Sequence, residues 1–265
     1  MTPRLGRIAI RLATLGVLGF LYLPIAVIAL YAFNESRAQT WPIENFTTDW
    51  FGVAFENEDL RDAVGLSIQV GLLATAVAIV LGTLAALALH RFRFFGRDAI
   101  SFLFVLPLAL PGIVTGMALS ATIDASGVGF SAFTIAVGHA TFCIVIVFNN
   151  VIARLRRSSR SIEEASMDLG ADAWQTFRYV TFPMVRTALL AGGLLAFALS
   201  FDEVVVTRFT AGTESTLPIW IFTTLFKPTQ RPIVNVAALL VIVISIVPVY
   251  IAQRLSSDTT GVTSR

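Results

Sequence analysis

Residues 154–186 read RLRRSSRSIEEASMDLGADAWQTFRYVTFPMVR, a polar and basic stretch set between two strongly apolar segments. Ser161 and Glu164 have capping-box spacing, in which the hydroxyl accepts from the N3 amide and the carboxylate reaches back to the cap's own N–H. Ile162, Ala165, Ser166 and Leu169 fall at i, i+3, i+4 and i+7, which predicts a short helix with small and apolar groups along one face. Gly170 is placed to end that helix in a left-handed turn without steric cost. Asp172 and Gln175 repeat the capping spacing, and a second short helix carrying Trp174, Phe177 and Val180 is expected to run until Pro183 stops it. Two short capped helices make a knuckle suited to a groove on another protein. The plainer alternative is an amphipathic helix at the membrane surface with no partner.

Composition places this knuckle in a membrane protein. The chain has 265 residues, 56% hydrophobic and 14% charged, with mean hydropathy +0.79. A soluble domain of this size carries roughly a quarter charged residues. The lone cysteine, Cys143, excludes an internal disulfide and sits in an apolar run, as a small buried hydrophobe would. A net charge of +2 gives no case for nucleic acid. The only lysine is Lys227, with no Gly-rich phosphate loop before it, so the chain supplies no Walker-type ATP site and any ATPase must be a separate subunit. His90 and His139 lie too far apart for a metalloprotease motif, and His139 reads as a helix-packing residue.

Outward from the knuckle, the chain divides into apolar runs long enough to cross a bilayer, which takes about 20 residues each. The expected spans are 12–33, 63–89, 99–123, 130–153, 187–207 and 232–253, forming one transmembrane domain over 1–265 with the polar loop at 154–186. The first run is 22 uncharged residues behind Arg4, Arg7 and Arg11, and lacks a small-x-small site, so it reads as a retained helix and not a cleaved signal. Trp41, Trp50 and Phe51 suit a water–lipid boundary. In the second run Gly71, Thr75 and Gly82 allow close helix approach. The third is interrupted by Pro107, Pro111, Gly112 and Gly116; such a break marks either a transport pathway or a simple kink. The tail 254–265 reads as loose. Placing both termini, the 90–98 turn and the 154–186 loop on one side collects 14 of the 19 basic residues there, and 11 of the 17 acids on the other. An Arg/Lys excess marks the cytoplasmic side, so both termini and the knuckle are expected inside.

The motif also carries a resemblance. Glu164-Ala165-Ser166, three residues, Gly170, nine residues, then Val180-Thr181-Phe182-Pro183 resembles the Glu-Ala-Ala loop of permease subunits of ATP-binding-cassette importers. It departs conservatively at Ser166, Val180 and Phe182. The resemblance implies an all-α membrane protein with six transmembrane helices, the type I importer permease fold, and a cytoplasmic coupling helix. Glu163, Glu164, Ala165, Ser166, Leu169, Gly170 and Ala171 would then dock on the ATP-hydrolysing subunit. It implies no catalytic residue and no metal on this chain; ATP and Mg would be bound by a partner. The expected partners are a second permease subunit (as a heterodimer), two ATPases, a periplasmic solute-binding protein and the lipid bilayer of a bacterial inner membrane.

The segment ALSFDEVVVTRF is similar to the fifth helix of spermidine/putrescine permeases, as are LPLALPGIVTGMAL, TLPIWIF and the start of the last helix at Asn235. The similarity runs from about Phe46 to Gln253. It implies that Asp202, with Glu203 and Ser200, lines a path for a cationic substrate. A unit-charge pair at 4 Å is worth about 4 kcal/mol at an effective dielectric near 20, against about 1 in water. The competing reading is structural: the two acids cap a helix end or pair with Arg208. Another solute of the same importer class (4-aminobutyrate, an opine, iron or sulfate) stays open at this stage. So does an ion-coupled secondary carrier, though neither the intramembrane charge partners nor the inverted repeat it calls for is visible.

Overall fold

The computed structural model describes residues 3–159 and 161–257. The described residues are helical apart from turns and a single antiparallel β-bridge, Asn34 to Phe46. The elements are α1 (Pro3–Ala32), α2 (Asp49–Glu56), α3 (Glu58–Arg91), α4 (Arg97–Ala109), α5 (Gly112–Ser126), α6 (Ala132–Arg157), α7 (Ser161–Asp168) and α8 (Ala173–Thr176). A π-turn (Phe177–Thr181) leads into α9 (Phe182–Phe201), then α10 (Val205–Thr210), α11 (Leu217–Thr224), a 3₁₀ turn (Pro228–Gln230) and α12 (Arg231–Ser257). Five stretches are long and apolar enough to cross a membrane: Gly6–Ala32, Glu58–Arg91, Ala132–Arg157, Ala173–Phe201 and Pro228–Val247. The α4–α5 pair brings the total up to six if it counts as one broken span. Of the tail, residues 258–265 lie outside the described residues.

Two compact units emerge, Met1–Arg61 with Trp220–Ile244, and Asp62–Ile219 with Ser245–Arg265. In the first, α1 buries none of its most apolar window within the chain. Its following loop is pinned by polar contacts. Asn34 is buried; its carbonyl accepts from Trp50 Nε1 at 2.9 Å, and its Oδ1 accepts from the Ser36 N–H at 2.9 Å. Asn235 Nδ2 on α12 donates to Gln39 Oε1 at 2.9 Å. The Phe51 ring meets Phe33 in a tilted contact with centroids 5.1 Å apart, so Trp50 and Phe51 hold the loop, while Trp41 stands exposed.

The second unit is built on α6, the most buried span, packed along α9. Its core is apolar, with Ala74, Ala78 and Ala86 of α3 and Ala196 of α9 set against Phe142, Val147, Phe148, Val151 and Leu155 of α6. Lipid-facing groups gain nothing by burial against one another, so close backbone approach supplies the cohesion. At Gly82 a Cβ would lie 2.9 Å from the Ile144 carbonyl oxygen and 3.1 Å from the Phe148 nitrogen. Backbone atoms cannot swing aside, so Gly82→Val is expected to destabilise the fold by about 1–3 kcal/mol. A thermal melt of the solubilised protein checks this; an unchanged midpoint would show that the helices tolerate a wider spacing. Gly71 is likewise covered by the Phe197 ring, whereas Thr75 Oγ1 is buried without a protein partner.

The break expected in the third apolar run falls at Leu110–Pro111. Leu110 is extended (φ −79°, ψ 141°), as residues before proline are, and Pro111 caps α5. The two helices bend by 103°. Gly116 of α5 meets α10: a Cβ there would lie 2.5 Å from the Phe209 ring.

Three boundary expectations are corrected. Arg154, Arg156 and Arg157 belong to the last turn of α6, so the polar loop begins at Ser158. Pro183 does not stop the second short helix. The chain stays helical from Ala173 to Phe201, because the π-turn just before the proline shifts the bonding to i−5, with the Phe182 N–H reaching the Phe177 carbonyl. That register leaves room for a ring that has no N–H to offer. The fifth span therefore begins earlier than 187, and it ends at Phe201, not at 207.

Candidate coupling and pathway sites

The knuckle is α7, a glycine turn and α8. Ser161 is the first helical residue and not the cap; its N–H donates to Ser159 Oγ at 3.3 Å. Glu164, its expected capping partner, is exposed. The exit from α7 follows the sequence reading closely. Gly170 has φ +90°, its N–H donates to the Met167 carbonyl at 2.9 Å, and the Ala171 N–H donates to the Ser166 carbonyl at 3.1 Å. Those two bonds form a Schellman motif, which satisfies carbonyls that would otherwise lack partners at the helix end. The second capping box is present on both arms: Asp172 Oδ1 accepts from the Gln175 N–H at 2.7 Å, and Gln175 Oε1 accepts from the Asp172 N–H at 2.9 Å.

Polarity on α7 is inverted relative to an ordinary surface helix. The residue it buries is an acid, Glu163, 6% exposed. Its Oε2 lies 3.2 Å from Arg91 Nε at the end of α3, and its Oε1 accepts from Thr181 Oγ1 at 2.7 Å. Arg91 Nη2 in turn donates to Thr181 Oγ1 at 3.1 Å, closing a ring among α3, α7 and the π-turn. Ser166, half-buried, lies 3.2 Å from Thr176 through their hydroxyls. Meanwhile Ile162, Ala165, Met167 and Gly170 face out, and Leu169 is 90% exposed; Trp174 (69%) and Tyr179, further along the knuckle, are exposed as well. Arg91, Phe92, Glu163, Glu164, Met167, Ala173 and Thr176 line a cleft of about 340 Å³. The sequence reading did not find Arg91: its charge was fully accounted for by the topology rule, and nothing local points to a partner 72 residues away.

At the other candidate site, α9 ends and the chain turns before α10. Asp202 sits at this break and is exposed. Glu203 is half-buried; its Oε1 accepts from the Val206 N–H at 3.0 Å, and its carbonyl accepts from Thr207 Oγ1 at 2.7 Å. Glu203 thus ties its side chain to the first turn of α10. Among the described residues no ion pair joins either acid to Arg208. Ser200 is buried, its hydroxyl 2.7 Å from His139 Nδ1, while His139 Nε2 lies 2.8 Å from Thr207 Oγ1. His139 on α6 therefore grips both sides of the break, which agrees with its reading as a packing residue. The structure separates the three residues: Asp202 is presented outward, and Ser200 and Glu203 build the turn beneath it.

Apolar spanning helices, a sharply broken pair and a capped knuckle after the most buried span define an integral membrane permease of the importer type. The family described as binding-protein-dependent transport system inner membrane component matches residues 78–260, and the chain belongs to it. It is a multi-pass inner-membrane transport subunit of an ATP-binding-cassette importer, not an enzyme. Over 232 residues it is 37% identical to the putrescine transport system permease protein PotI of Escherichia coli K12, covering 84% of this chain and 82% of that protein. Over 242 residues it is 32% identical to the spermidine/putrescine transport system permease protein PotC of Haemophilus influenzae, covering 91% and 93%. It shares its fold with a chain from the crystal structure of a bacterial transporter that imports the acidic polysaccharide alginate, with TM-score 0.70 at 13% identity, covering 98% and 97%.

Proposed function

We propose that this chain is one membrane-spanning half of an importer for polyamines such as putrescine and spermidine. The observation that carries the substrate class is Asp202, an exposed carboxylate at the end of an apolar span, on a turn fixed by His139 and Glu203. A carboxylate beside a bilayer is costly unless it meets protein, water or a cation. The names of the relatives support the same substrate class. In this reading Asp202 faces the path and attracts an ammonium group, while Ser200 and Glu203 set its position. Glu163, Glu164, Ala165, Ser166, Leu169, Gly170 and Ala171 make up the knuckle; its exposed residues dock an ATPase, while Glu163, expected from sequence to dock as well, is turned inward. A second permease, expected to be a different chain, completes the path, two ATPases bind ATP and Mg, and a periplasmic binding protein delivers substrate. Both termini and the knuckle face the cytoplasm, consistent with the basic residues gathered there.

Asp202→Asn keeps the shape and removes the charge. It is expected to lower uptake of radiolabelled putrescine at least fivefold while the complex assembles at its usual yield. Unchanged uptake would assign Asp202 a structural role and leave the polyamine reading without its support on this chain.

A further inference from the structure

The ring formed by Arg91, Glu163 and Thr181 ties down the inward side of α7, opposite in polarity to the exposed Ile162 and Leu169. Glu163 and Thr181 are buried, and every contact in the ring crosses between elements: α3 to α7, α7 to the π-turn, and the π-turn back to α3. A two-turn helix such as α7 has little stability of its own, so its orientation is set by whatever holds it. Its neighbours in packing are α8 and the π-turn, and the Arg91 pair adds a charged tie to a separate span. A carboxylate bound on both oxygens by groups from two directions makes rotation of the helix alone cost charge-assisted bonds. We propose that this ring is the mechanical link through which α7 moves together with the spans α3 and α9, and that Arg91 is a positioning residue for energy coupling. The apolar front of the knuckle receives the motor; the ionic back passes its displacement to the membrane helices. The inference rests on the reading of α7 and α8 as the ATPase-docking knuckle.

The test uses the whole complex, with both permeases, the ATPases and the binding protein in proteoliposomes, and measures putrescine molecules moved per ATP hydrolysed. Arg91→Gln is expected to lower that ratio at least fivefold, with ATPase co-purification and hydrolysis kept within twofold. Arg91→Lys, which retains the charge but offers fewer fixed donors, falls between. If Arg91→Gln does not assemble, Thr181→Val decides: it opens the ring without unpairing the ions and is expected to lower the ratio two- to threefold. A wild-type ratio in the deciding variant overturns the proposal. So does loss of ATPase binding in it, which would make the ring a folding element of α7 and nothing more. Leu169→Glu separates the two levels: if it leaves the ATPase bound, the docking reading fails whatever the ring variants do.

Discussion

Gly170→Val is expected to cut transport at least tenfold while the spans stay folded. The residue has φ +90°, a region that a β-branched side chain occupies only at a cost of about 1–3 kcal/mol. Nothing lies within 4 Å of where a Cβ would be, so the cost is in the backbone and not in a clash. The chain can relieve it by unwinding the last turn of α7, which breaks the Gly170–Met167 and Ala171–Ser166 bonds and moves Leu169 and Ala171 off the docking face. Because the turn is exposed and separate from the core at α6 and α9, the thermal midpoint of the solubilised protein should change little. Gly170→Asn provides the control, since asparagine tolerates the left-handed region and should keep most of the activity. Equal transport by the valine and asparagine variants would remove the turn from the coupling assignment.

Leu169→Glu is the second large effect. A leucine 90% exposed at the end of a helix, beside Met167 and in line with Ile162, has no role in folding this chain. Its burial against a partner would be favourable, and a carboxylate in its place would be desolvated unpaired. The ATPase is expected to bind about 100-fold more weakly, about 3 kcal/mol, measured by titrating the purified ATPase onto permease in nanodiscs. Trp174 and Tyr179 are also large and exposed on the knuckle, so some residual affinity is expected from them.

The local features of the knuckle were legible because their physics is local. Helix exit at Gly170 and the Asp172–Gln175 box depend on residues no more than five positions apart, and both stand as read. The same range of sight misled at Ser161, where Ser159 takes the N–H that a box with Glu164 would have organised differently. It misled again at Pro183, where a proline rule framed for i−4 bonding met a π-turn bonded at i−5. Asp202 and Glu203 are neighbouring acids in sequence, with Asp202 the favoured pathway residue. The start of α10 separates them physically: the Val206 N–H binds Glu203, while Asp202 stands exposed.

The apolar runs and the spacing from Glu164 to Pro183 were enough to point to an all-helical membrane permease, and the uneven distribution of arginine is what the proposed cytoplasmic placement of its knuckle rests on. Hydropathy and charge act residue by residue, so no fold is needed to read them. Which acid of α7 would turn inward, and that an arginine at the far end of α3 would meet it, was decided by tertiary structure alone. A buried carboxylate is tolerable only where its counter-charge arrives, and the three-dimensional path of the chain brings Arg91 to that place.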